Sequence, residues 1–381
     1  MTLILLLYFL VLYCIFNKGS EVNSKKKFTR YASFAMILIS SLRHEGVGND
    51  THAYMAHYER FDMSWTEVFA SFIPKYISPG LIGKDPGIDV FEKLCHYIIP
   101  DGRWYLALVA TITIVSVSFF ILNNAKTLKA TFFAFVFYAS MFYQYVPNSA
   151  FRQSLAIAIL LFSQLALQRD RKVLFVVLVF VASTFHQSAL VCLSFLIVPY
   201  IKNIDIVYKA SVIGFLIVLL APEQVAIMLG GTNEVYSDYI GGDYYQRASK
   251  PYMVIVFVLC LYVISWMINK RDLIKQDNRF YYFGVAMTFV LTPMIWVDPS
   301  AIRLIAYFGL FIPLLIGNEI KLIPNSGTIF MIVLITFYLR VATYSDNYHF
   351  MWQDMKLHDR YSYVAPYGIR QKEDSLTYYC A

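Results

Sequence analysis

The chain has 381 residues, 58% of them hydrophobic and only 15% charged, with a formal net charge of +7. A water-soluble domain keeps roughly a quarter of its residues charged, so this composition excludes an ordinary soluble globule and points to lipid as solvent. The excess base lies in short loops between apolar runs, which is a membrane-orientation pattern and argues against a nucleic-acid partner.

The expected fold is all-α: a polytopic integral membrane protein of about 12 transmembrane helices with long outer loops. The apolar stretches are continuous and do not alternate with period two, which excludes a barrel. The first run, 2–16, lacks a basic leading region and a small-residue cleavage site, so it reads as a retained span. Spans of roughly twenty apolar residues, shorter where tilted or pinned, are expected next at 28–42, 104–123, 130–146, 154–168, 173–185 and 188–201. The division near 186 rests on "STFHQS", a polar turn inside a run too long for one helix. The remaining spans are expected at 210–229, 252–268, 280–297, 301–316 and 328–344. Residues 1–344 thus form the transmembrane domain and 345–381 a tail.

If "KGSEVNSKKKFTR" faces the cytoplasm, strict alternation also places Lys126, Lys129, Arg169, Arg171, Lys172, Lys270, Arg271, Lys275 and Arg279 inside. All seven histidines, most acidic residues and the long connections 43–103 and 230–251 then fall outside, with both termini. Long loops carrying polar chemistry on a rigid scaffold are where function concentrates. The five cysteines are scattered and neither CxxC nor HExxH occurs, so neither a disulfide framework nor a structural zinc site is expected, and no metal ligand and no cofactor is assigned.

Four outer stretches carry candidate chemistry. "SLRHEGVGNDTHAYMAHYERFD" (41–62) clusters Arg43, His44 and Asp50 with further charges, although a solvated loop has the same look. In "GKDPGIDVFEKLCHYIIPDGRWY" (83–105), Asp85 and Asp89 are four apart and would share a face of a helix. "PNSAFRQSLAIAIL" puts Arg152, Gln153 and Ser154 just after a proline, with Arg152 in the first turn of a span. There its charge adds to unpaired N–H groups and the positive dipole end, making an anion site at headgroup depth. The alternative is an arginine snorkelling to lipid headgroups. "FHQSAL" places His186 at a turn between two short spans, where a hydrogen-bonded structural histidine is the simpler role. Arg303, in "DPSAIRLIAYF", opens a span as Arg152 does.

"RHEGVGNDTHAYMAHYERF", "DPGIDVFEKL", "FRQSLAIAI", "FHQSALV" and "AIRLIAYFGLFIPLL" occur in the order seen in the EpsG/Wzy-type polysaccharide polymerases, which the chain resembles from about residue 41 to 316. Where that family usually has Gly-Thr-Asp, this chain has Gly48-Asn49-Asp50. The resemblance implies a GT-C-like membrane glycosyltransferase of the bacterial inner membrane, working on its periplasmic face. It would transfer an undecaprenyl-diphosphate-linked glycan onto a second lipid-linked repeat unit, building O-antigen or another exported polysaccharide. His186, Asp50 and His44 are the candidates for the catalytic base. Arg43, Arg152, Gln153, Arg303, Asp85 and Arg247 are the candidates for binding the lipid diphosphate and glycan. The implied partners are the lipid-linked donor and acceptor, the bilayer and a chain-length regulator. Two other classes fit a polytopic chain with outward arginines: a lipid-linked oligosaccharide flippase, and a membrane-bound sugar acyltransferase. A flippase would be expected to show repeat symmetry and mid-span charges, and an acyltransferase to show cytoplasmic access for its donor. Neither feature is evident in the sequence.

Overall fold

The computed structural model describes residues 1–48, 50–78, 84–99, 101–222, 224–225, 252–296, 302–343 and 348–353. α1 (Thr2–Phe16) and α2 (Glu21–Ser41) lead into three shorter helices, α3 (Thr51–Arg60), α4 (Trp65–Ile77) and α5 (Pro86–His96). α6 (Gly102–Asn124), α7 (Leu128–Met141), the one-turn α8 (Val146–Ser149), α9 (Phe151–Gln168) and α10 (Lys172–Phe185) follow. After a 3-10 helix (Gln187–Tyr200) come α11 (Ile204–Leu220), α12 (Tyr252–Arg271) and α13 (Arg279–Leu291), the last prolonged by a 3-10 turn (Thr292–Trp296). α14 (Ile302–Phe308), α15 (Phe311–Glu319) and α16 (Ser326–Thr343) complete the described helices. The β-pairing among the described residues is an isolated bridge between Arg43 and Phe350.

The chain is an all-helical membrane protein. Among the described residues α6, α9, α12 and α16 are each long and apolar enough to cross a bilayer, and α14 with α15, bent by 44° at their junction, makes a fifth candidate. The other expected spans correspond to shorter helices of 13 to 17 residues, or to α2, whose first half carries Glu21, Lys25, Lys26, Lys27 and Arg30. Apolar side chains face outward along helical spacings, such as Ile4, Leu7, Val11 and Ile15 on α1 and Ile332, Ile335 and Leu339 on α16. Such outward stripes are suited to lipid, while the interior is filled by a continuous apolar core. α7 lies at its centre, apolar on every face and buried almost throughout. Gly317 of α15 lets that helix approach the backbone of Ala130 on α7.

Two expectations change. The segment expected as a helical span at 188–201 is a 3-10 helix of 14 residues. With about 2.0 Å rise per residue it reaches roughly 28 Å, close to the ~30 Å hydrocarbon thickness, where an α-helix of that length would reach only ~21 Å. The tighter helix gives a short segment a greater length than an α-helix of the same residue count. The span expected at 210–229 begins earlier, because Asn203 caps α11 by accepting from the Asp205 N–H at 2.9 Å.

The described parts of the 43–103 segment are folded onto one end of the bundle. Glu92 of α5 is fully buried, accepts from the Tyr105 hydroxyl of α6 at 3.1 Å and lies 2.9 Å from His57 of α3, so one carboxylate joins three helices. A capping box between Ser64 and Glu67 starts α4. Its polar side is held to the protein by Lys75–Asp89 at 2.6 Å and Tyr76–Ser183 at 2.7 Å. Its other side presents Phe69, Ile73 and Ile77, all exposed and four apart, and Trp65 one turn earlier donates to exposed Tyr97 at 2.8 Å. A helix bound to protein by its polar face and bare on its apolar face suits the plane of a membrane interface.

Candidate functional site

The first expected anion site lies at a break in the bundle. α7 stops at Met141, five residues before the one-turn α8, and α9 begins only at Phe151. Freed backbone at this depth must find partners inside the protein. Asn148 Nδ2 donates to the Tyr143 carbonyl at 3.1 Å, Thr51 Oγ1 to the Asn148 carbonyl at 2.6 Å, and Ser154 Oγ to the Ala150 carbonyl at 2.8 Å. Arg43, buried to 1% exposure, donates to the carbonyls of Ser40 and Pro147 and lies over the Phe151 ring at 5.6 Å. Gly48, at φ +97°, passes so close to the Asn148 carbonyl that a Cβ would stand 2.1 Å from it. Arg43, Gly48 and Thr51 therefore clamp the break and fix where α9 starts.

Arg152 is the second residue of α9. Its Nη1 lies 3.0 Å from Asp85 Oδ2, and its Nε donates to the Tyr54 hydroxyl at 3.2 Å. Tyr54 in turn stacks on Phe151 with ring centroids 4.9 Å apart. Asp85 immediately precedes α5 in the left-handed conformation, φ 58°. It accepts from the Gln187 N–H, and its Oδ2 is 4.0 Å from Nδ1 of His186, the residue that ends α10. Gly87 makes this meeting of α5 and α10 possible, since a Cβ there would stand 2.4 Å from Thr184 Oγ1 and 3.0 Å from Thr184 backbone.

Arg303, second in α14, lies 4.0 Å from Asp50 Oδ2 and donates through Nε to the Tyr145 hydroxyl. Gln153, buried, donates to the Arg303 carbonyl at 2.7 Å and accepts from Tyr145 at 3.5 Å. Lys84 adds a third cation, close enough to bear on Asp50, Asp85 and Arg152. The cluster thus holds Lys84, Arg152 and Arg303 against Asp50 and Asp85, with His186 beside them.

Asp50 and Asp85 occupy the N-cap positions of α3 and α5, yet neither side chain caps its own helix. Both turn to the arginines instead. α9 starts after Ala150, which has no capping group. Three helix N-termini with their positive dipole ends therefore meet one group of three cations and two carboxylates, an arrangement suited to an anion. Burial raises the Asp50 and Asp85 carboxyls above the usual range, opposed by the neighbouring cations. Burial, then Arg303, Arg152 and Lys84, hold His186 well below its ordinary value, so its imidazole is neutral.

The other sequence candidates fall elsewhere. His44 is buried and accepts from the Gly46 N–H at 3.0 Å, within its own loop. Arg43 sits behind the break, as described above. Asp89 is paired with Lys75, so the two aspartates at 85 and 89 serve different partners. Arg247 lies outside the described residues. Sequence reasoning missed Lys84, Tyr54 and Tyr145. The first adjoins Asp85 and the second is four residues from Asp50, which is the spacing of one helical turn.

Residues 26–353 match the EpsG family. The chain belongs to the EpsG family. Membership, with the helical spans, makes it a membrane protein of the polysaccharide-polymerase type. No curated protein and no solved structure matches it.

Proposed function

We propose that this EpsG-family protein is an inner-membrane glycosyltransferase that polymerises undecaprenyl-diphosphate-linked repeat units into O-antigen or a related exported polysaccharide, on the periplasmic face. The observation that carries this reading is the meeting of uncapped helix N-termini with Lys84, Arg152 and Arg303 at one end of the bundle. A lipid diphosphate presents its charge at that depth. The acceptor hydroxyl attacks the anomeric carbon of the donor glycan, the bond from that carbon to the diphosphate oxygen breaks, and the electron pair leaves with the lipid diphosphate. Charge grows on the leaving oxygens as the bond stretches, so preorganised cations stabilise the transition state more than the ground state. A single displacement with inversion suffices, because the leaving group is already activated.

Among the three base candidates, Asp50 suits the role best. Its carboxylate is 44% exposed and therefore reachable, while its partial withdrawal from water, opposed by Arg303, Arg152 and Lys84, lifts its carboxyl above the usual range. It takes the proton of the acceptor hydroxyl as the new bond forms. Asp85 orients the Arg152 fork. His186, neutral and close to Asp85, acts as a hydrogen-bonding group toward sugar or phosphate. His44 supports its loop.

The test is an assay with purified protein and purified lipid-linked repeat units, read as a polymer ladder. Asp50→Asn keeps the shape and removes the base, with an expected loss of at least a hundredfold. The wild-type rate should fall as pH drops through the raised Asp50 value, so its acid limb lies above the ordinary carboxylate range. Wild-type ladders from the asparagine variant would remove Asp50 from the chemistry. In cells, a deletion strain should carry a single repeat unit on its lipid core. Accumulation of cytoplasm-facing lipid-linked units would instead identify a flippase.

A further inference from the structure

We propose that the opposite end of the bundle holds a site for the phosphate headgroup of an anionic phospholipid, formed by Arg271, Lys321 and Lys126. α6 carries the chain from the end that holds the candidate site to this one, and a cavity of about 350 Å³ opens there between the start of α7 and the ends of α12 and α15. That volume lies within the range of small-ligand sites.

The charges lining the cavity are sorted by direction. Its two carboxylates are consumed from within. Asp272 accepts from the Ile274 N–H at 2.8 Å, Asn278 Nδ2 at 2.9 Å and the Tyr282 hydroxyl at 2.7 Å. Glu319 accepts from Asn278 at 3.3 Å and from Lys126. Both acids are nearly fully buried. Arg271 and Lys321 are exposed and, among the described residues, have no hydrogen-bonding or ionic partner. Lys126 shares its charge between Glu319 and the opening, its side chain 47% exposed. The cavity therefore shows cations to a ligand and keeps its acids for the fold.

The rim decides which anion. Leu273, directly after Arg271 and Asp272, is 98% exposed, and Ile274 beside it on the rim is also exposed. An uncovered leucine beside two free cations is poorly placed in water but well placed where acyl chains meet headgroups. A phosphate attached to a diacylglycerol satisfies both halves of the surface, whereas a free phosphate satisfies one. Basic pockets between transmembrane helices are suited to anionic headgroups in this way.

The full chain in detergent, equilibrated with equal phosphatidylglycerol and phosphatidylcholine, tests this by native mass spectrometry. The wild type should retain phosphatidylglycerol preferentially. Neutralising one cation near such a surface should weaken retention about fivefold, and Arg271→Ala with Lys321→Ala about 25-fold, bringing it to the phosphatidylcholine level. The swap Arg271→Lys with Lys321→Arg keeps the charges and should keep the preference. Neither side chain supports the fold, and circular dichroism confirms that each variant is helical; Lys321→Gln alone gives the fivefold step if the double variant does not fold. Equal retention of the two lipids by the wild type, or an unchanged preference in the double variant, overturns the proposal. Inorganic phosphate binding lipid-free protein, and lost in the double variant, would assign the site to a free anion and overturn the lipid assignment.

Discussion

Replacing Arg152 by alanine separates two roles that its geometry combines. Its guanidinium neutralises Asp85 at 3.0 Å, with side chains 25% and 5% exposed, and also faces the space proposed for the diphosphate. Removing it strands a buried carboxylate, but the cost has a ceiling because Asp85 can take up a proton. At pH 7 that costs at most about 4 kcal/mol from an ordinary carboxyl, at 1.36 kcal/mol per pH unit, and less here because burial already raises Asp85. A loss of about 2–4 kcal/mol is consistent with breaking a buried ion pair. Catalysis should lose separately about 3 kcal/mol, roughly a hundredfold, from the missing charge-assisted hydrogen bond to the leaving group. Asp85→Asn added to Arg152→Ala removes the stranded charge, so thermal stability recovers while polymer formation does not. Arg152→Lys should keep much of the stability and recover little activity, since lysine lacks the planar fork. The measurements are the unfolding midpoint in lipid nanodiscs and the polymer ladder from purified lipid-linked units. If the double variant regains activity along with stability, Arg152 is only the counter-ion of Asp85 and the diphosphate reading of α9 fails.

Three further outcomes follow from the same geometry. His186 is held neutral in the folded state, while in the unfolded chain it titrates near 6.5; below that pH the unfolded state binds the extra proton, so folding stability is lost as pH falls. His186→Gln should flatten this part of the stability curve, and an unchanged slope between about pH 5 and 6.5 would place the titration elsewhere. Gly87→Ala drives a methyl against Thr184 backbone, pushing α5 off α10 and Asp85 off Arg152; polymer should drop at least tenfold with the protein still in the membrane, and full activity would show that this close approach is dispensable. For α4, a variant retaining Trp65 alone should be quenched by lipids brominated near the headgroup end of their chains, whereas quenching by aqueous acrylamide alone would place the helix in water.

The parts of the fold and site legible in the sequence are those whose physics is local. Apolar runs mark the helices because lipid tolerates little else, and Pro147 followed by Arg152 marks the break because a proline and a charge are both costly inside a span. The 3-10 helix at Gln187–Tyr200 was not legible, since composition gives a segment's apolar content and leaves its rise per residue open. The pairing of the carboxylates was equally hidden. Spacing puts Asp85 and Asp89 together, but one precedes α5 in a left-handed turn toward α9, and the other is one turn inside the helix, facing Lys75. Arg43 and Arg152 illustrate the same limit among cations. Both are arginines at helix ends beside polar neighbours, yet one is sealed behind Pro147 by the Ser40 and Pro147 carbonyls and the other stands at the opening. The two depend on each other: without Arg43, Thr51 and Asn148 binding the freed carbonyls, the chain could not interrupt its helices at this depth. Without that interruption, α9 would have no N-terminus from which Arg152 could meet an anion.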